Sequence, residues 1–181
     1  SDGMSDQILA MADQYQQIVY GRNSYYHELL KQEGVNFAVQ ETRSLNSIVT
    51  DSSAAASTWG CGRRIWNGMV NCYPDKTMLH TLTEIMTDAG VRAGLVTTTT
   101  ITHATPSGFS VSNLKRDDEA GLALKHLTSN VDILMGGGNR YFAPDKRADK
   151  RDLYAEFAAK GYKVVRTRNE VLNLKAKRIL G

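Results

Sequence analysis

Hydrophobic residues recur at helical spacing in several stretches of the chain. The pattern is clearest in residues 77–89, where apolar side chains return every three or four positions and Gly90 provides a C-terminal stop. Residues 117–129 add acidic side chains in the first turn, where they favour a helix N-terminus. Helices are therefore predicted at 6–20, 25–31, 53–57, 77–89, 117–129 and 148–160.

Short runs rich in β-branched residues lie between these helices. They predict strands at 35–39, 47–50, 93–101, 131–135 and 162–166. Because strands and helices alternate, the sequence predicts an α/β fold with a mostly parallel central sheet flanked by helices. No internal repeat or linker is visible, so residues 1–181 are expected to form one domain or part of one.

The two ends of the sequence favour part of a domain. The chain opens with SDGM, which contains no initiator methionine at position 1, and it stops within the apolar run KRILG. A run of this kind is typical of a strand. We therefore expect a fragment of a longer chain, truncated at both ends.

Composition narrows the classes of partner. The chain is 41% hydrophobic and 23% charged, as in soluble globular domains, and no apolar run approaches the roughly 20 residues that a membrane helix needs. Its net charge is only +3, and its lysines and arginines form no basic stripe. We therefore expect neither a membrane nor a nucleic acid as a partner.

Two cysteines, Cys61 and Cys72, lie in a stretch rich in glycine and arginine. A disulfide would close this short loop if the two Cβ atoms came within about 4 Å of each other. Two free thiols are the other interpretation, and two cysteines do not fix the redox compartment. The sequence leaves both possibilities open.

Asp51 and Ser52 stand between a predicted strand and a run of small residues that favours helix. A serine at a helix N-terminus lies where backbone N–H groups and the helix dipole favour an anion, which suits a nucleophile. The alternative is a simple helix cap, because Asp and Ser are the most frequent capping residues.

A second candidate group follows the predicted strand at 93–101. Thr102 and Thr105 offer hydroxyl oxygens that suit Mg²⁺, and His103 could contact a metal-bound water or a phosphate. Arg116 is a possible phosphate ligand, although a solvated arginine is the usual case. Asp2 precedes a glycine and is either a metal ligand or part of a turn.

These segments together resemble a known family. Residues 49–56 read VTDSSAAA and closely resemble the nucleophile motif of the alkaline phosphatases. Residues 1–5, SDGMS, are similar to the metal-binding Asp-Gly-Met segment of that family, and residues 96–106, VTTTTITHATP, to its second metal segment. Residues 134–138, LMGGG, and 178–181, RILG, resemble a glycine-rich strand end and a later strand. The resemblance extends over nearly all of the chain.

The resemblance implies hydrolysis of phosphate monoesters through a phosphoserine intermediate, at a site with two zinc ions and one magnesium ion. Ser52 would be the nucleophile and also a zinc ligand, and Asp51 would orient the arginine that binds phosphate. That arginine would be Arg116, with Lys115 beside it as the alternative. The helix N-terminus and the arginine would hold the phosphoryl oxygens.

The resemblance also assigns metal ligands. Asp2 would bridge a zinc and the magnesium, Thr105 would bind magnesium, and His103 would stand where family members carry either Asp or His. The remaining ligands would lie beyond residue 181, so we expect the full-length parent to be active and the fragment to have little or no activity. The family further implies a homodimeric parent exported to the periplasm or the cell exterior.

Two other functions remain open on the sequence. A phosphodiesterase of the same superfamily would share the motifs, whereas a sulfatase would need a Cys/Ser-x-Pro-x-Arg motif that neither Ser52 nor Cys61 provides. A non-catalytic metal- or phosphate-binding domain would use Asp51 and Ser52 only as a helix cap.

Overall fold

The computed structural model describes residues 5–38, 40–41 and 43–181, apart from the side chain of Asp6. The chain divides into two compact units, with the boundary between residues 41 and 42. The sheet and the predicted residues Ser52, His103, Thr105 and Arg116 belong to the second unit. Asp2 lies outside the described residues.

The first unit contains α1 (Asp6–Tyr20) and α2 (Tyr25–Leu30), close to the predicted bounds. Asp13 joins the two helices, because its carboxylate accepts the N–H of Ser24 at 2.7 Å and lies 3.3 Å from His27. The predicted strand at 35–39 is wrong over its described residues 35–38, which adopt no strand. Their side chains are exposed, and β-branched residues form strands only where a partner strand and a packing surface exist.

The second unit is built on four parallel strands among its described residues. They are β1 (Gly94–Thr100), β2 (Ile133–Gly137), β3 (Lys163–Val164) and β4 (Ile179–Leu180), in the order β1-β2-β4-β3. Leu95 pairs with Leu134, which in turn pairs with Leu180. The prediction of an α/β fold with a mostly parallel sheet is confirmed.

Residues 47–50, predicted as a strand, do not form one. Ile48 is 87% exposed and Val49 is 72% exposed, and the backbone of this segment bonds to side chains instead of to a neighbouring strand. The β-branched composition of the run was misleading because no sheet edge of the described residues reaches it.

Helices connect and cover the strands. They are α3 (Ser52–Cys61), α4 (Leu82–Asp88), α5 (Ala104–Ser107), α6 (Glu119–Thr128), a 3-10 turn (Asn139–Tyr141), α7 (Leu153–Ala159) and α8 (Arg168–Leu172). The helix predicted at 77–89 begins later than expected, at Leu82, because Thr81 and Glu84 form a capping box there. The helix predicted at 148–160 also begins later than expected, at Leu153, because Asp152 caps α7.

The core packs α6 and α7 against the sheet. Leu134 and Leu180 are buried in the two central strands, and Phe157 of α7 lies edge-on to Tyr162 with ring centroids 5.0 Å apart. Packing of these apolar side chains fixes the carboxyl ends of β1 and β2, where ligands of parallel sheets gather. None of the helices in the described ranges is long and apolar enough to cross a membrane.

The structure resolves the cysteine question in favour of free thiols. Cys61 Sγ donates to the carbonyl of Ser57 at 3.0 Å, and Cys72 Sγ donates to the carbonyl of Asn113, also at 3.0 Å. Burial raises the pKa of both thiols. The possible disulfide between Cys61 and Cys72 is therefore not formed.

Candidate active site

The first candidate group lies at the N-terminus of α3. Asp51 is the N-cap, and its carboxylate accepts the backbone N–H of Ala54 at 2.8 Å. Ser52 is the first helical residue, on the turn where N–H groups point outward from the helix. The helix-cap interpretation is thus confirmed for Asp51, and Ser52 lies at the N-terminus of α3.

The Asp51 carboxylate is held by donors from three parts of the chain. Oδ1 accepts from Ser53 Oγ and the Ala54 N–H, and Oδ2 accepts from the Gly68 N–H at 2.8 Å and Arg116 Nη1 at 3.2 Å. Burial opposes ionisation, but these hydrogen bonds together hold the pKa of Asp51 below its usual range. Asp51 therefore stays negative and fixes the guanidinium beside the start of α3.

Arg116 reaches Asp51 from a loop 65 residues later in the chain. Its side chain is 22% exposed, its Nε lies 3.6 Å from Asp117, and its own N–H donates to the carbonyl of Gly68 at 2.8 Å. Lys115, the alternative from the sequence, is exposed. A half-buried arginine anchored at backbone and side chain is a preorganised donor for an anion.

The second candidate group lies on α5, directly after β1. His103 caps this helix, because its Nδ1 accepts the N–H of Thr105 at 3.4 Å. With Nδ1 as acceptor, a neutral imidazole carries its proton on Nε2. This tautomer suits donation to a water or phosphate better than direct ligation of a metal. Pro106 lies within this helix, which begins at Ala104.

Glu119 contacts Thr102, beside the second candidate group, although the sequence did not single it out. Its Oε2 accepts from the hydroxyls of Thr100 at 2.5 Å and Thr102 at 2.6 Å, and its Oε1 accepts from Tyr141 at 2.9 Å. Burial opposes ionisation, yet these three donors hold the pKa of Glu119 below its usual range. Glu119 thereby ties the end of β1, which leads to His103, to the first turn of α6. The available signal was the run of threonines that leaves β1.

Helices α3 and α5 are packed backbone to backbone. A Cβ at Gly60 would lie 1.9 Å from the carbonyl oxygen of Gly108. Asn71, fully buried, donates to the carbonyls of Gly108 and Val111, both at 2.8 Å, and its N–H donates to Ser57 Oγ. The structure therefore brings Asp51, Ser52 and Arg116 together and packs the helix of Thr105 against the helix of Ser52.

Complete metal coordination is not formed by the described residues alone. No cluster of three or more His, Cys, Asp or Glu side chains suited to a metal occurs in residues 5–38, 40–41 and 43–181. Ser52 and Thr105 offer oxygen donors that suit a hard cation such as Mg²⁺. Zinc sites of four protein ligands would need further nitrogen or carboxylate donors. The fit of these residues to zinc is accordingly incomplete.

Comparison with known proteins gives a consistent result. A family model described as alkaline phosphatase matches residues 1–181. The chain is similar to the crystal structure of Thermus thermophilus alkaline phosphatase, with 42% identity and a TM-score of 0.93 over 99% of this chain and 38% of that one. It is also similar to a mutant of TAB5 alkaline phosphatase with Mg bound, at 25% identity and a TM-score of 0.79 over 93% of this chain and 48% of that one.

A curated relative, the repressible alkaline phosphatase of Saccharomyces cerevisiae, is 33% identical to this chain. The aligned region covers 91% of this chain and 32% of the relative. The chain spans about a third of the length of the curated relatives it matches. The family model accounts for the chain from end to end, and the described fold agrees with a solved member at 42% identity. The chain therefore belongs to the alkaline phosphatase family.

Proposed function

We propose that the protein to which this chain belongs hydrolyses phosphate monoesters and that Ser52 is its nucleophile. The observation that carries the proposal is the link from Arg116 Nη1 to Asp51 Oδ2 at 3.2 Å, one residue before Ser52 at the start of α3. A nucleophilic hydroxyl, a helix N-terminus and an arginine at one point are the parts that phosphoryl transfer requires.

The reaction is a double displacement at phosphorus. Ser52 Oγ loses its proton to solvent and forms a bond to phosphorus as the bond from phosphorus to the ester oxygen breaks, and the leaving oxygen takes up a proton from solvent to give the alcohol. Water then attacks the phosphoserine, which releases inorganic phosphate and regenerates the Ser52 hydroxyl. Arg116 and the first N–H groups of α3 bind the phosphoryl oxygens in both steps, where negative charge is spread over them.

Asp51 acts on this reaction through Arg116 and through α3. Its carboxylate restrains one nitrogen of the guanidinium, and its contact with the Ala54 N–H fixes the first turn of the helix. The energetic benefit is preorganisation: the charge of Arg116 does not have to be repositioned when phosphate binds.

By resemblance, two zinc ions and one magnesium ion belong to the complete site. When bound, they would lower the pKa of the serine hydroxyl and stabilise the oxygen of the leaving group. Ser52 and Thr105 would contribute oxygen ligands, and His103 would donate from Nε2 toward a metal-bound water or phosphate. Asp2 stays a predicted metal ligand. The chain spans about a third of the length of its curated relatives, so the other ligands would come from the rest of the full-length protein.

The family resemblance extends the proposal to the whole protein. We infer a homodimeric enzyme that acts on small phosphate monoesters in the periplasm or outside the cell. The structure of the TAB5 alkaline phosphatase mutant with Mg bound supports a magnesium site in the family.

Trapping of the intermediate tests this function. The full-length protein is incubated with a phosphate monoester, quenched in acid, digested and analysed by mass spectrometry. We expect phosphate on the peptide that contains Ser52. Ser52→Ala removes the label, and Ser129→Ala, which alters a serine bonded to the carbonyl of His126, serves as the matched control. Label retained in Ser52→Ala, or found on another residue, contradicts the proposal.

A further inference from the structure

The segment that leads into Ser52 is fixed by side chains rather than by a sheet. Residues 47–50 form no strand, and Ile48 and Val49 point into solvent. Burial of these two side chains therefore cannot hold the backbone in place. Hydrogen bonds to the backbone of this segment therefore hold the approach to Ser52, in addition to the packing of α3 against α5.

The side chain of Asn67 supplies two of those hydrogen bonds. Its Nδ2 donates to the carbonyl of Val49 at 2.9 Å, and its Oδ1 accepts the N–H of Asp51 at 3.0 Å. One amide thus binds a carbonyl and an N–H two residues apart, on the same edge of the chain. A neighbouring strand would satisfy the same two groups, so among the described residues Asn67 takes the place of a sheet partner.

Asn67 is itself held at a defined position. Its N–H donates to Asn46 Oδ1 at 3.0 Å, and the hydroxyl of the buried Ser44 donates to the same oxygen at 3.0 Å. These contacts fix the backbone that carries the amide. Asn67 is therefore a rigid support and not a surface side chain that happens to touch the loop.

The next residue, Gly68, extends the support to the phosphate-binding arginine. Its N–H donates to Asp51 Oδ2, and its carbonyl accepts the N–H of Arg116, both at 2.8 Å. Gly68 has a φ of +84°, which a residue with a Cβ adopts only at a cost. The turn formed by Asn67 and Gly68 thus joins the approach to Ser52, the carboxylate of Asp51 and the backbone of Arg116.

We propose that Asn67 is a positioning residue that sets the location of Ser52 relative to Arg116. This inference rests on the proposed function of Ser52. Asn67 acts through the backbone of Val49 and Asp51, while Gly68 holds Arg116 through main-chain atoms. Removal of the Asn67 amide therefore displaces the nucleophile more than it displaces the guanidinium.

Two variants of the full-length protein test this role. Asn67→Ala removes both hydrogen bonds. Asn67→Asp keeps an acceptor for the Asp51 N–H but replaces the donor with a carboxylate oxygen facing the Val49 carbonyl, which repels it. Asn139→Ala is the matched control, because this exposed asparagine accepts one hydrogen bond from Tyr154 and has no contact with Asp51 or Arg116 among its described interactions.

The kinetic readout separates positioning from a loss of phosphate affinity. We expect kcat for a phosphate monoester to fall about 10- to 100-fold in Asn67→Ala, since small misplacement of a reacting group has effects of that order. Competitive inhibition by inorganic phosphate should weaken less than about threefold, because Arg116 keeps its contacts with Gly68 and Asp51. Asn67→Asp should be impaired at least as much as Asn67→Ala. An unchanged kcat, or kcat and phosphate inhibition falling in equal measure, overturns the inference.

Hydrogen–deuterium exchange provides an independent readout. In Asn67→Ala, peptides covering residues 49–54 should exchange faster than in the wild type, and peptides covering β2 should not. Unchanged exchange at 49–54 contradicts a supporting role for Asn67. Failure of the wild type to show any Ser52-dependent turnover would instead overturn the proposed function, and the exchange rates would still decide whether Asn67 fixes the segment.

Discussion

Carboxylates with several donors set the geometry of this molecule at the scale of single residues. Asp51 and Glu119 each accept hydrogen bonds from more than one element, and in each case those bonds lower the pKa despite partial burial. A negative charge with fixed donors is both a structural tie and an electrostatic guide for a nearby cation. For Asp51, the nearby cation is Arg116.

Replacement of Asp51 by asparagine removes its charge. Asn caps a helix as well as Asp does, but its Nδ2 would face the N–H of either Ala54 or Gly68, so Asp51→Asn should also lower the thermal stability of the full-length protein. Loss of the charge frees Arg116, and we expect the inhibition constant for inorganic phosphate to rise by about three- to tenfold. Steady-state inhibition assays measure this change. Unchanged phosphate inhibition would show that Asp51 does not orient Arg116.

His126 makes stability depend on pH. Its ring is fully buried between the hydroxyls of Ser107 and Ser110, and burial lowers its pKa to about 4. The unfolded chain takes up this proton near 6.5, so below that pH the unfolded state binds more protons and stability falls until about pH 4. The loss amounts to about 3 kcal/mol for the full shift.

Urea unfolding of the full-length protein between pH 7 and 4.5 measures this dependence. His126→Gln should flatten the decline relative to the wild type. His80→Gln is the control, since His80 is two-thirds exposed and pairs only with Glu84 at 3.4 Å among its described contacts. Equal slopes in the wild type and His126→Gln would contradict the assignment of the pH dependence to His126.

The sequence predicted only some of these residues. The order and spacing of motifs identified Asp51, Ser52 and Arg116, and the structure joins Asp51 to Arg116 as the resemblance implied. Glu119 and Asn67 were missed, because their partners lie 16 to 22 positions away in the sequence and only the fold brings them together. A polar residue with distant partners carries no local pattern.

Close packing of small residues is the dominant feature at the scale of elements. Helix α3 presents Ala56 and Gly60 to the end of α5, where Gly108 lies directly opposite. Such contacts allow two backbones to approach more closely than large side chains permit, so the start of α3 has a fixed distance from α5. The same packing therefore fixes the separation between the candidate residues on α3 and those on α5.

Gly60→Ala should disturb this contact strongly. The added methyl group would meet the backbone carbonyl of Gly108, which cannot move aside as a side chain can. We expect a loss of about 3 kcal/mol or more in unfolding free energy, at the upper end for overpacking. Ala55→Ser adds one atom to a partly exposed position of the same helix and should cost less than about 1 kcal/mol. Chemical denaturation of the full-length protein measures both, and equal stabilities would contradict the close approach.

Element prediction succeeded where the pattern was local and failed where it depended on neighbours. Helices α1 and α6 are defined by their own apolar faces, and their observed bounds, Asp6–Tyr20 and Glu119–Thr128, lie within two residues of those predicted. The run at 47–50 has a strand-like composition but no strand beside it, and α4 begins where Thr81 can cap it. Partners and caps are properties of the fold and not of apolar periodicity.

At the scale of the whole molecule, the chain corresponds to about a third of the length of the curated alkaline phosphatases it matches. The chain matches the family over its full length and covers 38% of the Thermus thermophilus enzyme. Its described residues bring Arg116 to Asp51 at the start of α3, but they form no cluster of three or more His, Cys, Asp or Glu side chains suited to a metal. Turnover is therefore proposed for the full-length protein.

The response to added metals should differ between the full-length protein and the chain of residues 1–181. Chelation with EDTA should abolish turnover by the full-length protein, and addition of Zn²⁺ with Mg²⁺ should restore it. The chain of residues 1–181 should remain inactive with both metals present, because its described residues hold no cluster of three or more His, Cys, Asp or Glu side chains suited to a metal. Turnover by the isolated chain would contradict the need for the full-length protein, and full activity after chelation would contradict the need for metals.

Hydrolysis of p-nitrophenyl phosphate at alkaline pH tests the central claim most directly. The full-length protein is compared with Ser52→Ala and Ser129→Ala, with a phosphate diester as the second substrate. We expect monoester turnover in the wild type and Ser129→Ala, a loss of at least about a thousandfold in Ser52→Ala, and slower hydrolysis of the diester. A Ser52→Ala protein that retains wild-type turnover would contradict the assignment of the nucleophile, and a wild type that cleaves only the diester would contradict the assignment of the substrate.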